Sequence, residues 1–463
     1  MRQYGPIEQV RGCYPMQALS RFFKMDSQML FNVLLGYYVA IQFFLPSTGQ
    51  VPRFSTAYFT LVLPVLIYTA VNFRFMLTGY STASRWMLGF GVLVSLVSIA
   101  RADFATMQHA LVLTLPIVII LNSRIRLDPR VVNNLFAASV VAFILISFGG
   151  VALEWLAART EHELTRAEQP KTPQASEPVK PHAERPAPNR GLLPSLASGE
   201  VQDLNWRVSL FALVPESAFF SILVVLINLF FGVPPRKYLF IVLGTSFALL
   251  SGIRATTIVL ILILILFALS RFRRFNRSAF YALFFTATVV LLVTVLSTDI
   301  LFYVARSFDN EWINTYLYRS PRGLQSADHL RETLYRGTVW QYHLRMFLEN
   351  PLWGHGTFTI ANLLRDNSFN ETAFCSSCSF LTEWAARIGF MIIPFVVFIG
   401  VTAGTAIRNH DAYSLGVCLT LIIVLLTWGS LFVPYNPVFL LLIAAIGTSQ
   451  RVTKAEKQTD FCP

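Results

Sequence analysis

The sequence predicts an all-α polytopic membrane protein, and three observations lead to that prediction. The mean hydropathy is +0.55, 54% of the 463 residues are hydrophobic, and only 13% are charged. The apolar residues fall in separate runs, several of them long enough to cross a bilayer, and not in one soluble core. The net charge is +12, but the basic residues lie mainly at the ends of these runs, where they orient spans and do not form a nucleic-acid footprint.

The apolar runs predict about twelve transmembrane helices. The predicted spans are 29–45, 57–73, 86–100, 105–121, 135–157, 208–231, 238–250, 255–269, 279–296, 388–407, 414–432 and 438–447. Charged residues ahead of the first run predict a cytosolic N-terminus without a cleavable signal peptide. With that start, the basic run 271–277 lies inside, as the positive-inside rule requires, and the segment 301–387 lies outside.

This topology divides the chain into five segments. They are N-terminal transmembrane helices (1–157), an outer proline-rich linker (158–206), transmembrane helices that include Arg254 (207–300), an outer loop that carries the candidate site (301–387), and C-terminal transmembrane helices with a cytosolic tail (388–463). The linker mixes prolines with Ala, Glu and Lys, a composition that buries too little apolar surface to fold. We therefore predict a flexible tether there, with docking of a partner as the alternative.

The outer loop favours an anionic ligand because residues 301–390 contain eight arginines and no lysine. A guanidinium grips carboxylate or phosphate through two parallel hydrogen bonds, whereas an ammonium is a looser point charge. Arg336, Arg345 and Arg365 are the substrate-binding candidates of this loop. The alternative is that its arginines pair with the loop's own acidic residues.

Two charged residues outside the loop are further binding candidates. Arg254 lies at the predicted outer end of two apolar runs, where the positive-inside rule disfavours it, and charge at membrane depth costs about 2.5–3.5 kcal/mol. A phosphate contact would offset that cost, and a structural pair or snorkelling is the alternative. Glu216 follows Pro215 near the outer end of the sixth span, where an acid beside a helix break is a binding candidate. Its alternative is a hydrogen-bonded helix-end carboxylate.

His355 is the first candidate for a general base, since histidine titrates nearest to neutral pH. Gly354 and Gly356 flank it and would allow a close backbone approach to a ligand. The alternative role is a backbone hydrogen-bond donor in a turn, and His343 is a weaker candidate. Cys375 and Cys378 have CxxC spacing without a second pair for zinc, which favours a local disulfide or two packed thiols.

The sequence also excludes some enzyme classes and carries one family resemblance. It has no Walker loop, dinucleotide fingerprint or Asp-x-Asp cluster, which argues against a kinase or a nucleotide-sugar enzyme. The motifs that carry the resemblance are Pro215-Glu-Ser, Ser251-Gly-Ile-Arg254, Arg336-x-x-x-Trp340, Asn350-Pro-Leu-Trp-Gly-His-Gly356 and Ser379-Phe-Leu-Thr-Glu-Trp-Ala-Ala-Arg-Ile-Gly389. In this order, over about 214–447, they resemble the O-antigen ligase and polymerase superfamily of bacterial membrane glycosyltransferases.

The resemblance implies a GT-C-like helical membrane fold and transfer of a glycan from undecaprenyl diphosphate to a sugar hydroxyl. It implies no cofactor, no nucleotide sugar and no obligatory metal. Arg254 and Arg336 would hold the diphosphate and stabilise the charge that develops on it. Segment 301–387 would then be a periplasmic catalytic loop of a multi-pass protein in the bacterial inner membrane.

The ligase branch differs from this sequence at two points. The resemblance implies that the general base of the ligase branch is a histidine, and the matching position in this sequence is Cys378. The Arg-x-x-x-Leu loop motif of the ligases has no match here. The base is therefore expected from His355, Glu371 or Asp366, and a polymerase of oligosaccharide repeat units is favoured over a ligase acting on lipid A core or protein. A transporter or flippase is the alternative from another class, but it would place charges near the bilayer midplane and not in one outer loop.

The expected partners follow from the same resemblance. They are the undecaprenyl-diphosphate-linked glycan and membrane lipid. A flippase and a chain-length regulator are candidate protein partners, and nucleic acid is not expected.

Overall fold

The computed structural model describes about three fifths of the chain. The described residues are 26–43, 56–76, 81–123, 125, 127–146, 148, 210, 214–251, 253–271, 277–297, 340, 342–356, 379–428 and 432–459. Within these ranges the secondary structure is helical, and no strand occurs. The linker 158–206 and most of the predicted outer loop, including Arg336, Arg365, Asp366, Glu371 and both CxxC cysteines, lie outside the described residues.

The helices follow the apolar runs of the sequence. In the first half they are α1 (Ser27–Ile41), α2 (Thr56–Leu61), α3 (Leu63–Val71), α4 (Thr82–Ala100), α5 (Phe104–Asn122) and α6 (Pro129–Ile146). In the second half they are α7 (Val214–Phe231), α8 (Arg236–Leu250), α9 (Arg254–Arg271), α10 (Arg277–Ser297), α11 (342–349), α12 (Phe380–Ile388), α13 (Ile393–Arg408), α14 (Ala412–Thr427) and α15 (Pro437–Thr459).

The prediction of a polytopic helical membrane protein is confirmed. Among the described residues, four helical segments are long and apolar enough to cross a membrane: Thr82–Ala100, Phe104–Asn122, Pro129–Ile146 and Phe380–Arg408. Shorter apolar helices accompany them, and each of the predicted spans overlaps a helix of the described residues. The structure therefore agrees with the predicted positions of the helices. Among the described residues, fewer helices than the twelve predicted are by themselves long enough to cross a bilayer.

At two predicted spans the helices begin or divide at other residues, for local reasons. The span 57–73 is divided between α2 and α3, because Pro64 lacks an N–H and is accommodated in the first turn of a new helix. The span 388–407 begins earlier, at Phe380, since the Ser379 side chain caps α12 by accepting from the N–H of Thr382. A 3-10 turn, Gly389–Ile392, then separates α12 from α13.

Three helices form the buried centre of the protein. Every residue of α14 is buried, and so are most residues of α7 and of the first half of α15. A helix that is apolar on all sides is stable only when protein or lipid surrounds it. α4 and α5 form a hairpin, α13 packs on α4, and α15 packs against α5, α7 and α14, so the two halves share one core.

One end of the bundle collects the polar segments. Arg101, between α4 and α5, contacts the turn 350–356, and Asn436 before α15 contacts Glu216 at the start of α7. The Ser379 hydroxyl before α12 donates to the carbonyl of Leu425 near the end of α14. We call this end of the bundle, with the turns and helix ends just named, the site end.

The opposite end joins a different set of segments. The N–H of Leu127 donates to Thr448 in α15, and the amide side chains of Asn133 and Asn228 exchange hydrogen bonds between α6 and α7. The predicted topology places all of the site-end segments outside and these segments inside. The contacts therefore agree with the predicted sidedness, and the compartment that the site end faces remains a prediction.

Candidate functional site

A tight turn over residues 350–356 forms the centre of the described site end. The N–H of Gly354 donates to the carbonyl of Asn350 at 2.8 Å, and the Asn350 side chain donates to the carbonyl of Gly354 at 2.8 Å. Gly354 and Gly356 have φ values of 69° and 71°, a backbone conformation that glycine adopts without steric cost. These bonds and dihedrals define the shape of the turn that presents His355.

The turn is interlocked with the end of α12. The N–H of His355 donates to the carbonyl of Ala386 at 2.9 Å, and the N–H of Phe390 donates to the carbonyl of Pro351 at 2.7 Å. A Cβ at Gly354 would overlap the backbone of Arg387, and a Cβ at Gly389 would overlap the carbonyl of Pro351. The close approach predicted at Gly354 thus brings in the chain's own backbone and not a ligand.

Arg101 attaches this turn to the first half of the chain. Its Nη1 donates to the carbonyl of Trp353 at 2.5 Å, and its Nη2 donates to the carbonyl of Gly354 at 2.9 Å. Asp103, two residues further, accepts from the N–H of Thr106 and so caps α5. The α4–α5 turn therefore lies directly against the turn that carries His355.

His355 uses one ring nitrogen for a structural hydrogen bond. Its Nε2 lies 2.8 Å from the carbonyl oxygen of Met346, and because a carbonyl can only accept, Nε2 must carry the hydrogen. The neutral ring then has its lone pair on Nδ1. Proton abstraction by His355, a role that remains a prediction, would have to proceed through Nδ1.

His343 is the more deeply buried histidine of this region, with only 1% of its surface exposed. Its Nδ1 lies 3.1 Å from the hydroxyl of Thr382 in α12, and its Nε2 has no hydrogen-bond partner in the described part of the chain. Burial, and then the positive charge of Arg387, lower the pKa of His343 from 6.5 to about 4. The imidazole is therefore neutral at pH 7.

Arg387 forms a largely buried ion pair with Glu383 one helical turn earlier. Nη2 of Arg387 lies 2.5 Å from Oε1 of Glu383, and the two side chains are only 11% and 12% exposed. This is the structural alternative that the sequence offered for the loop arginines. Among the residues described, the Nε of Arg387 lacks a hydrogen-bond partner. The Nδ1 of His109 in α5 also lacks one. The Arg387 charge acts on His109 as well as on His343.

The buried imidazole of His343 predicts a pH-dependent stability. Its pKa is about 4 in the folded protein and about 6.5 in the unfolded chain, so the unfolded chain binds more protons between those values. The free energy of unfolding should fall by about 3 kcal/mol as the pH drops from above 6.5 to below 4. Above pH 6.5 the neutral imidazole should contribute its full stabilisation. His343→Gln should remove this part of the pH dependence, measured by unfolding in detergent at pH 7 and pH 4.5.

A matched control is His410→Asn, which changes an exposed histidine at the opposite end, between α13 and α14. This variant should keep the wild-type pH dependence. Equal losses of stability on acidification in the wild type and in His343→Gln would contradict the burial argument.

Residues 238–392 match the family model described as O-antigen ligase. The resemblance to the O-antigen ligase and polymerase superfamily is thereby confirmed over this segment. The match begins in α8 and ends in the 3-10 turn after α12, so it includes Arg254, Arg336 and His355 and leaves α1 to α7 outside. No curated protein and no solved structure is matched by the chain.

The O-antigen ligase match supports a membrane glycosyltransferase-like enzyme that acts in ligation or polymerisation of O-antigen-related glycan. A lipid-linked glycan is the substrate class that the family suggests. Within the matched segment, α9 begins at Arg254 itself, directly after Ile253, whose N–H donates to the Ser251 hydroxyl. The Ser251-Gly-Ile-Arg254 motif is therefore the entry to a helix at the site end, as the sequence predicted.

Arg345, which lies within the matched segment, is on the surface of α11. Its Nε donates to Glu349 at 3.0 Å, with side chains 80% and 50% exposed. Such an exposed pair one turn apart stabilises a helix by only about 0.3–0.5 kcal/mol, so Arg345 can exchange this partner for another anion at little cost. Substrate binding by Arg345 remains a prediction.

Glu216, outside the matched segment, is fully buried at the start of α7. Its Oε1 accepts from the side-chain amide of Asn436 at 2.8 Å, and Asn436 also accepts from the N–H of Val438 at the start of α15. Burial, and then the Glu216 carboxylate, raise the pKa of the neighbouring Tyr435. This arrangement is the hydrogen-bonded helix-end carboxylate that the sequence offered as the alternative role.

Sequence reasoning missed Arg101, the Arg387–Glu383 pair and His109. A signal existed for His109, since an ionisable side chain inside an apolar span is a candidate functional residue by default. Arg387 was included among the loop arginines without a role of its own. For Arg101 the only signal in the sequence was its position in a short turn between two apolar runs.

Proposed function

We propose that the protein polymerises undecaprenyl-diphosphate-linked oligosaccharide repeat units into O-antigen or exopolysaccharide at the periplasmic face of the inner membrane. The observation that carries the proposal is the O-antigen ligase match, because it covers Arg254, Arg336 and the turn 350–356 in one segment of an all-helical membrane protein. The interlock of that turn with α12, and its attachment to Arg101, supply a rigid frame for a reaction at the site end.

The proposed reaction breaks the bond between the anomeric carbon of the donor glycan and the diphosphate oxygen. A sugar hydroxyl on a second carrier-linked unit attacks that carbon, and its proton passes to a base. The electron pair of the broken bond stays on the diphosphate, which leaves on its lipid with one more negative charge. Arg254 and Arg336 would stabilise this charge, and preorganised donors of this type contribute about 3 kcal/mol each.

The position of Arg254 in the chain supports that role. Arg254 is the first residue of α9, and the dipole at the start of a helix favours an anion. The start of α9 follows α8, which is antiparallel to α7, so Arg254 and the buried Glu216 lie at the same end of the bundle. Binding of the carrier diphosphate at this end is part of the proposal.

Substitutions at His355 test whether it is the base. If Nδ1 takes the acceptor proton, both His355→Ala and His355→Gln should lower kcat by about 10²–10⁴-fold. Glutamine can still donate an N–H to the carbonyl of Met346, so it should restore activity if the hydrogen bond is the only contribution of His355. A mild effect of both substitutions would transfer the role of base to Glu371 or Asp366, and the measurement is the turnover of carrier-linked repeat units.

Ligation is the second candidate function, because the matched family model is described as O-antigen ligase. A ligase would move finished glycan from the carrier to lipid A core or to protein. Deletion of the gene distinguishes the two in cells: loss of a polymerase should leave single repeat units on the acceptor, whereas loss of a ligase should accumulate polymer on the carrier lipid. A mutant with unchanged surface glycan would contradict both. The flippase and the chain-length regulator remain proposed partners.

A further inference from the structure

We propose that Arg101, outside the O-antigen ligase match, is a positioning residue that holds the turn 350–356 in its working geometry. The inference rests on the proposed transfer reaction, and it assigns to the first half of the chain a part in a site otherwise built from the second half. Arg101 does not touch the reacting atoms in this proposal. It acts through the main-chain carbonyls of Trp353 and Gly354.

The geometry of the contact is that of a guanidinium fork on two main-chain carbonyls. One nitrogen donates to Trp353 and the other to Gly354, the two residues directly before His355. On the other side of His355, a Cβ at Gly356 would lie 3.0 Å from Oδ2 of Asp103. The α4–α5 turn therefore contacts the chain immediately before and immediately after the histidine.

The remaining anchors of His355 come from a different direction. Its N–H donates to Ala386 in α12, and its Nε2 donates to Met346 in α11. Loss of Arg101 would leave these bonds, and the bond from the Asn350 side chain to the Gly354 carbonyl, but would remove the guanidinium from the carbonyls of Trp353 and Gly354. Because a displacement of about 1 Å in a catalytic group can lower a rate about a hundredfold, the turn is expected to be sensitive to this loss.

Arg101 is itself exposed, which separates positioning from general stability. Removal of an exposed side chain opens no buried cavity, which is one of the main sources of large destabilisation. We therefore expect Arg101→Ala to lower kcat between tenfold and about a hundredfold, while the KM for carrier-linked substrate and the thermal midpoint change little. Arg101→Lys should recover only part of the rate, since one ammonium does not reproduce the planar two-pronged contact.

A double-mutant cycle tests the contact itself. The side chain of Asn350 donates to the same Gly354 carbonyl as Arg101, at 2.8 Å. If both residues act by holding this carbonyl, the effects of Arg101→Ala and Asn350→Ala on kcat should be non-additive. Arg74→Ala is the matched control, an exposed arginine over the Phe75 ring at the opposite end of the bundle, and it should leave kcat unchanged.

Hydrogen–deuterium exchange of the full-length protein supplies a readout that does not need activity. The amides of Gly354 and His355 should exchange faster in Arg101→Ala than in Arg74→Ala. Unchanged exchange and unchanged kcat in Arg101→Ala would overturn the proposal, as would a loss of kcat matched by an equal loss of folded protein. Faster exchange in a protein whose wild type transfers no glycan would overturn the proposed function and leave the anchoring role in place.

Discussion

Replacing Arg254 or Arg336 with alanine is expected to abolish polymer in cells while leaving the amount of protein in the membrane unchanged. Each guanidinium is proposed to contribute about 3 kcal/mol to the transition state, which corresponds to a rate loss of about 10²–10³-fold. Lysine at either position should recover only part of the activity, because it binds phosphate as a point charge. Polymer length on gels and an immunoblot of the membrane fraction measure the two quantities.

The same helix offers the control for Arg254. Arg271 is the last residue of α9, exposed at the opposite end and placed over the Phe267 ring. Arg271→Ala should leave the polymer unchanged, since it removes an equal charge from the same helix far from the site end. Wild-type polymer length in the Arg254 or Arg336 variant would remove that residue from the site.

Gly389→Ala is expected to have the second large effect, on both stability and activity. Gly389 has φ 60° and ψ −140°, a conformation that side chains with a Cβ avoid at a cost of about 1–3 kcal/mol. An added Cβ would also overlap the carbonyl of Pro351 and lie 2.9 Å from the nitrogen of Gly354. We expect a thermal midpoint lower by several degrees and, from displacement of the turn, a kcat lower by about a hundredfold.

Gly400 provides a glycine of the opposite kind in α13. No atom lies within 4 Å of a Cβ built there, and alanine is favoured over glycine inside a helix by about 0.5–1 kcal/mol. Gly400→Ala should therefore leave activity unchanged and stability equal or higher. If Gly389→Ala behaves like Gly400→Ala, the interlock between α12 and the turn 350–356 does not exist in solution.

The fold was predictable because apolar run length and helix geometry are local properties. The positions of α4, α5, α7 and α14 follow directly from where hydrophobic runs begin and end. The division at Pro64 and the break at Gly389 were not predicted, since a proline or glycine within an apolar run is compatible with a continuous helix. Which of the two occurs depends on the elements that pack around it.

The candidate site was less predictable, because its contacts join distant parts of the chain through backbone atoms. Arg101 and Gly354 are separated by 253 positions, and the acceptor is a main-chain carbonyl that every residue possesses. The pairing of Arg387 with Glu383 was compatible with the sequence, as their four-residue spacing fits one helical turn. Its burial depends on α12 lying inside the bundle, which no local pattern indicates.

His355 and Gly354 show how the structure changes the meaning of a motif. The glycine was expected to admit a ligand, but it admits the backbone of Arg387. The histidine retains a ring nitrogen for chemistry, while its other nitrogen serves the backbone donor role that was the alternative. The motif therefore specifies a rigid turn first, and its part in catalysis depends on how that turn meets the substrate.

Reconstitution with a defined substrate shows whether the protein itself transfers glycan between lipid carriers. Purified protein in proteoliposomes would receive undecaprenyl-diphosphate-linked repeat units as the only glycan, with no nucleotide sugar. We expect a ladder of longer glycans on the carrier, release of the diphosphate carrier, and loss of both with Arg254→Ala but not with Arg271→Ala. Carrier-linked units that remain single while the protein is folded and the substrate is accessible would contradict it.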